Sequence, residues 1–333
     1  MKKLKKAYRY LADRLFELKI CIKEFLSESK LKSSAYQAHY KNRLLVEVHS
    51  VEKGLGLKNA GPGHSGKVVV ILLDKLFSYI YMDFDINDFA FKETFRVLTA
   101  YVAFQKQFDT SKFEMFSEIE RKYNKLCEKL GQDYVLRVSS ELNAGYGVYS
   151  REDLLKGTEF DFNGFISSRH SIRTYDGRPL DEDLIMNAAA MANMAPSACN
   201  RQPSRIYFSN KGNIVEQIDK LITGSSGFKG ETSNYIVVTT DRAAFSKDEQ
   251  FQWYINGGIY LSYLTLALHS QGIGNCIMQW KAFYKTEKQL KALLNIPAHE
   301  AIIAVVGCGY YKDETRCIAA QRRTVADTLR IIK

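Results

Sequence analysis

Two polar clusters, held apart by one short helix, constrain this chain more than any other feature. Arg169, His170, Ser171 and Arg173 come first; Pro196, Ser197, Asn200 and Gln202 come last. Between them Leu184, Ile185, Ala188, Ala189 and Ala192 recur at helical spacing, so an amphipathic helix is expected from near Asp181. Two arginines with a hydroxyl between them supply forked donors suited to a phosphate or another delocalised anion. Asn200 and Gln202 each offer an acceptor and a two-proton donor, a set suited to the edge of a flat polar heterocycle, and prolines restrict their loop. Either cluster alone reads more readily as a surface Arg pair or a polar turn. Their order around one rigid helix is far more specific.

The pattern R-H-S-x-R, a helix, then A-P-S-x-x-N-x-Q-P resembles the nitroreductase family of FMN-dependent NAD(P)H oxidoreductases. Gly272-Ile-Gly274-Asn275-Cys276, after a long helix around Gly257–Ser270, resembles that family's second glycine-bearing strand entry, and Gln321-Arg322-Arg323 its closing basic motif. The resemblance spans roughly Asp161 to Lys333. It implies FMN at a homodimer interface, with NAD(P)H as reductant and a small-molecule electron acceptor. Arg169, Ser171 and Arg322, with His170 and Arg323 beside them, would hold the phosphate and ribityl end. Arg173 would lie toward the pyrimidine edge of the ring, with Lys229 as a further candidate there. Pro196, Ser197 and Asn200 of the other subunit would close over the flavin, with Gln202 in support. The strand end Ile277, Met278, Gln279 would present a backbone N–H to the flavin. No catalytic side chain beyond the flavin is implied, because the cofactor carries the chemistry. Two positions depart from the family pattern: Trp280 stands where a glycine is usual and Thr324 where a proline is usual. These departures keep a flavin-binding or assembly protein with little turnover as the alternative, its basic helical module making partner or membrane contact.

At 333 residues, two structural units are expected, and 46% apolar content is ample for their cores. The division reads as a helical N-terminal module, residues 1–157, and an FMN-binding domain, residues 158–333. The fold class is α+β: a nitroreductase-like mixed sheet flanked by helices, preceded by an all-helical module. Strands are expected at Ile206–Ser209, Tyr235–Thr240, Asn275–Met278 and Ala301–Gly307. Helices are expected at Ile214–Ile222, at Gln250–Gln271, and from a capping box at Thr286 and Gln289. The single G-x-G at Gly272–Gly274 follows a helix, which disfavours a dinucleotide-binding Rossmann fold.

The net charge of +10 is uneven, since residues 1–60 hold fourteen Lys/Arg against six Asp/Glu. Leu4, Tyr8, Leu11, Leu15, Leu18, Ile22 and Phe25 form a heptad seam with lysines outside. That helix could pack on its own domain, form a dimer contact, or rest on an anionic membrane through residues 1–30. Nucleic-acid binding is not expected, because stacking aromatics in a known pattern are missing. Helices follow at Val68–Tyr81, Asn87–Phe108 and Ser111–Gly131. No apolar run is long enough to span a bilayer, no signal peptide is recognisable, and the six cysteines lack a CxxC pair. A reduced, cytoplasmic protein without a metal site is expected.

Two N-terminal motifs invite over-reading. His49, Glu52 and Lys53 share a helix face that ends at Gly54 and Gly56, and an ion-paired helix end is the expectation. Gly61-Pro-Gly-His-Ser-Gly-Lys67-Val68 nearly matches a phosphate-cradling P-loop, but Val68 has no hydroxyl for magnesium and no strand leads directly into it. It is expected to be a decoy.

Overall fold

The computed structural model describes residues 36–57, 60–140, 159–225, 228–246, 248–280, 284–315 and 322–332, with a few isolated positions besides. The N-terminal heptad seam lies outside these, apart from Leu15, Leu18 and Ile22, which are helical and exposed. Most of the stretch joining the two halves, and Gln321 of the closing motif, also lie outside the described residues.

The first half is helical: α1 (Tyr36–Leu55), α2 (Gly66–Tyr81), α3 (Phe89–Gln105), α4 (Phe116–Leu130) and α5 (Gln132–Ser140). Their apolar faces meet in one aromatic-rich core that includes Val48, Leu72, Leu76, Phe91, Phe95 and Leu126. The helix expected over Ser111–Gly131 is divided. A 3₁₀ turn at Thr110–Lys112 precedes α4, which leaves Phe113 free to pack elsewhere. Gly131, at φ 84, ends α4 in a conformation that favours glycine, and α5 follows at once. Sequence periodicity gave no sign of α5, because only Tyr134 and Val138 are buried in it, one turn apart.

The second half contains α6 (Phe162–Ser168), α7 (Glu182–Ala192), β1 (Ser204–Ser209), α8 (Gly212–Leu221) and β2 (Asn234–Asp241). These are followed by α9 (Gln252–Ser270), β3 (Ile273–Met278), α10 (Tyr284–Leu294), β4 (Glu300–Tyr310) and the short α11 (Val325–Thr328). The sheet order is β1-β2-β4-β3, and every neighbouring pair is antiparallel. The parallel component expected of a mixed sheet is a single bridge, Ser171 to Asn275, on the β3 edge. Alternate residues of β2 serve opposite layers, as period-2 side chains must. Ile236 and Val238 face the core shared with Ile185, Leu264 and Leu268, whereas Tyr235 and Val237 face Val215, Ile218 and Leu290. Helices therefore cover both faces, and the α+β reading holds.

Helix α10 begins at Tyr284, so Thr286 lies inside it and not at its cap. A capping box does occur, but at α11, between Thr324 and Asp327. Among the described residues no helix is long and apolar enough to cross a membrane, and no cluster suited to a metal ion occurs.

The halves touch. Helix α1 packs on the 3₁₀ turns Ala198–Asn200 and Arg242–Ala244. Nδ2 of the buried Asn42 donates to Ala38 O at 2.8 Å and to Asp241 Oδ2 at 3.3 Å.

Candidate functional site

The front cluster is assembled on the β3 edge. Ile172 N donates to Asn275 O at 3.0 Å, which lays residues 171–172 along the strand. Gly274 permits that approach, since a Cβ there would stand 3.0 to 3.1 Å from the Ile172 side chain. The Gly272–Gly274 pair is thus explained by docking: Gly272, at φ 73, turns the chain out of α9, and Gly274 leaves room for the arginine-bearing segment. Arg169, Ser171 and Arg173 surround the Cys276 thiol. Burial pushes that thiol up, while Arg173, a hydrogen bond from Ser171, and Arg169 oppose the rise. Arg173 Nη1 is held by Ser171 O at 3.3 Å.

The same cluster sits at the C-terminal end of α9. Ser168 Oγ meets His269 Nε2 at 2.9 Å, and His269 Nδ1 meets the Tyr311 hydroxyl at 3.0 Å. Burial lowers the His269 pKa, a hydrogen bond from its ring to the Phe165 backbone opposes this, and the neighbouring Arg169 and His170 add to the lowering. His170 itself is exposed, its Nδ1 2.8 Å from Ser168 O.

The strand end expected to face a flavin is open. Ile277 and Gln279 are exposed, while Met278 is buried between the sheet and α10. The loop bearing Lys229 closes on this edge, and a Cβ on Gly224 would lie 2.4 Å from Gln279 N. Lys229 is exposed. Trp280, standing where a glycine was expected, packs against the cluster beneath the sheet, and its Nε1 is buried with no hydrogen-bond partner among the described residues. Arg322 and Arg323 are exposed on the C-terminal arm; among the described residues no hydrogen bond or ion pair joins them to the front cluster. The structure therefore brings together Arg169, Ser171, Arg173 and the 277–279 edge, and leaves the closing arginines apart.

The back cluster lies elsewhere. Residues 196–202 form a tight loop leading into β1, at the opposite edge of the sheet, and the Asn256 side chain near the start of α9 accepts from Ala198 N at 2.8 Å. Thirteen residues of helix separate Asn256 from His269, about 20 Å at 1.5 Å per residue. Three non-glycine residues of this loop hold left-handed backbone: Cys199 (φ 50), Asn200 (φ 49) and Gln202 (φ 49). Such conformations persist only where the surroundings over-determine them. Ser197 Oγ accepts from Gln202 N at 3.0 Å, and Gln202 Nε2 reaches Asn200 Oδ1 at 3.3 Å.

A buried arginine and its half-buried counter-ion, invisible to sequence reasoning, pin the loop from beneath. The Arg201 side chain is only 3% exposed; Nη1 donates to Ala244 O at 2.6 Å and to Glu249 at 2.9 Å, and Nη2 to Glu249 at 2.5 Å. Arg201 drives the Glu249 carboxyl down to about 2, helped by hydrogen bonds from Ser246. Arg201 sits between the two amides but occupies a free position of the motif, so a partner 48 residues away gave no signal.

The N-terminal motifs take structural roles. His49 Nδ1 and Glu52 Oε2 lie 3.2 Å apart on α1, and burial raises the Glu52 pKa against the pull of His49. In the glycine-rich segment the Phe113 ring lies where Cβ atoms on Gly63 and Gly66 would stand, at 2.9 and 2.6 Å. Gly63 N donates to Gln105 Oε1 at 2.9 Å. An aromatic ring fills the concavity a phosphate would need, and Lys67 points to solvent.

Residues 166–245 match the Nitroreductase family. A protein of Archaeoglobus fulgidus, provisionally named NADH dehydrogenase/NAD(P)H nitroreductase, is 27% identical over 167 residues, 49% of this chain and 93% of that protein. The NADH dehydrogenase of Thermus thermophilus is 26% identical over 179 residues, 44% of this chain and 84% of that protein. Among solved structures, a provisionally named nitroreductase of Desulfovibrio desulfuricans in complex with FMN superposes with a TM-score of 0.44. It shares 19% identity over 53% of this chain and 98% of its own. The arginine-bearing segment, the strained amide loop, β1 and β2 all fall within the span that matches the Nitroreductase family.

Proposed function

We propose that the chain is an FMN-dependent NAD(P)H oxidoreductase that works as a homodimer, with residues 158–333 as the flavin-binding domain and residues 1–157 as an added helical module. The observation that carries this reading is the separation of the two clusters. They lie about 20 Å apart along α9 and on opposite edges of the sheet, so one chain cannot close both on one ring system. Helix α9 is apolar around its circumference, yet Ile255 and Tyr263 are 52% and 42% exposed. A helix of that composition calls for cover on every side. Two copies pairing antiparallel along α9 would set the back loop of one beside the front cluster of the other. The C-terminal arm, with Val325, Leu329 and Ile331 exposed, would extend across the partner and could carry Arg322 and Arg323 to its phosphate site.

The residues present fit FMN. Arg169 and Ser171 would hold the phosphate end, and Arg173 would favour the electron-rich form from the pyrimidine edge. The open 277–279 edge would offer a backbone donor to the ring, while Asn200 and Gln202 of the partner would cover it. When bound, FMN supplies the hydride chemistry, accepting from NAD(P)H and passing to an organic acceptor in a ping-pong sequence. Five described cysteines are free, in keeping with work in the reducing cytoplasm.

The test is the spectrum and oligomeric state of protein purified without added flavin, followed by anaerobic titration with NADH and with NADPH. A yellow dimer bleached by nicotinamide is expected, and Arg173→Ala should weaken flavin binding or lower its potential. A colourless monomer that takes up no FMN would refute the reading.

A further inference from the structure

A cavity of about 610 Å³ lies between the helical module and the amide loop, a volume typical of small-molecule sites. One wall is α1, through Gln37, Ala38, Lys41 and Asn42; the opposite wall is Pro196, Ser197 and Gln202. The floor is Asp241, His299 and Glu300.

Its electrostatics are legible from the pairings. Lys41 Nζ is neutralised by Asp88 at 2.7 Å, and Arg201 by Glu249. Arg205 gives Nη1 to the carbonyls of Gln202 and Ser204, at 2.8 and 2.7 Å, and has no hydrogen-bonded carboxylate among the described residues. Against that one cation stand two buried carboxyls. Glu300 accepts from two hydroxyls, Tyr207 at 2.9 Å and Thr239 at 2.5 Å, while Asp241 Oδ1 is 3.9 Å from His299 Nε2. Burial raises the Asp241 pKa, His299 and Arg205 pull it down, and Glu300 pushes it up. The cavity therefore opposes an added negative charge. Arg201, although it lines the cavity, is already committed to Glu249 and to Ala244 O, and so offers no free charge to a ligand. A neutral ligand suits such a lining, and a desolvated anion does not suit the floor.

We propose that this cavity selects the electron acceptor, and that the helical module is its specificity wall, admitting neutral nitro- or carbonyl-bearing rings in preference to anionic ones. The inference rests on the flavin reading above, in which Ser197 and Gln202 cover the partner's ring, so that a ligand in the cavity would lie next to it. Gln37, Ala38 and Asn42 would then choose the substrate while taking no part in holding the flavin.

The test uses the full-length flavin-loaded protein with 4-nitrobenzamide and 4-nitrobenzoate, similar in shape and different in charge. Each is titrated calorimetrically against the oxidised protein. Each is then mixed with dithionite-reduced protein to follow reoxidation, with free reduced FMN as the reference for intrinsic reactivity. The amide is expected to bind at least tenfold more tightly and, relative to free FMN, to react at least tenfold faster. Ala38→Phe should cut amide affinity about tenfold at unchanged flavin content. Gln37→Trp, at an exposed helix position that cannot compromise folding, should act in the same direction. A yellow protein in which both variants bind and react with the amide as wild type, or in which the carboxylate matches the amide, overturns the proposal. A protein that takes up no flavin overturns the reading beneath it, and the acceptor role with it.

Discussion

Removal of the Glu249 carboxylate is the sharpest perturbation available at the amide loop. In Glu249→Ala the Arg201 guanidinium, 3% exposed, keeps Ala244 O and the weak Cys199 sulfur as its partners among the described residues. Leaving a buried charge without its counter-ion costs about 3–5 kcal/mol. The loop above stores strain of comparable size: three left-handed non-glycine residues at about 1 kcal/mol each come to roughly 3 kcal/mol. The two figures nearly match, so the loop is expected to relax before the domain unfolds. Thermal denaturation should show a fall of about 6–20 °C, taking 2–4 °C per kcal/mol for a unit of this size. FMN affinity should fall with it, because Asn200 and Gln202 lose their placement. The double variant Arg201→Met, Glu249→Leu separates the two effects. It removes the buried guanidinium together with its partly exposed counter-ion and should recover much of the melting temperature, yet it leaves nothing to hold the left-handed turns, so flavin affinity should stay low. Wild-type melting and wild-type FMN affinity in Glu249→Ala would refute the reasoning. Full recovery of both in the double variant would show that the pair serves stability alone.

Further outcomes follow from the same geometry. The Glu249 carboxyl is held at about 2 in the folded chain, below its ordinary value, so its share of stability is complete above pH 4.5 and is lost as the pH falls toward 2. Urea midpoints measured from pH 6 to 3 should fall more steeply for wild type than for Glu249→Gln. Gly274→Val should push Ile172 off β3, costing about 1–3 kcal/mol by overpacking and weakening flavin uptake, whereas Gly212→Ala, at a position with open space around its Cβ and away from α9, should do neither. Lys67→Ala should leave stability within about 0.5 kcal/mol, with no ATP hydrolysis before or after the change.

What was legible in the sequence, and what was not, divides along a physical line. Ile236 and Val238 alternate with Tyr235 and Val237, so β2 announces its two covered faces locally, and α7 declares itself through Ile185, Ala188 and Ala192. The front arginines and Gly274 were readable because the constraint joining them to β3 recurs as a short pattern. Arg201–Glu249, Asn42–Asp241 and Phe113 over Gly63 were not, since each joins residues distant in sequence and neither member is unusual where it stands. The P-loop resemblance failed for the complementary reason: its glycines make room for an aromatic ring, and a string of residue types cannot say what fills the space. The same limit governs the site. Sequence order places the front cluster and the amide loop beside one another, joined by a single helix, yet the fold sends them to opposite ends of α9. Proximity along the chain is therefore poor evidence that the two clusters share a ligand within one copy, and good evidence that one segment supplies both halves of a site completed by a second copy. On that argument, loss of dimerisation should remove flavin even when every ligating side chain is intact. Tyr263→Glu, on the exposed face of α9 and outside both clusters, should yield a folded, colourless monomer; a yellow monomer would show that one chain suffices.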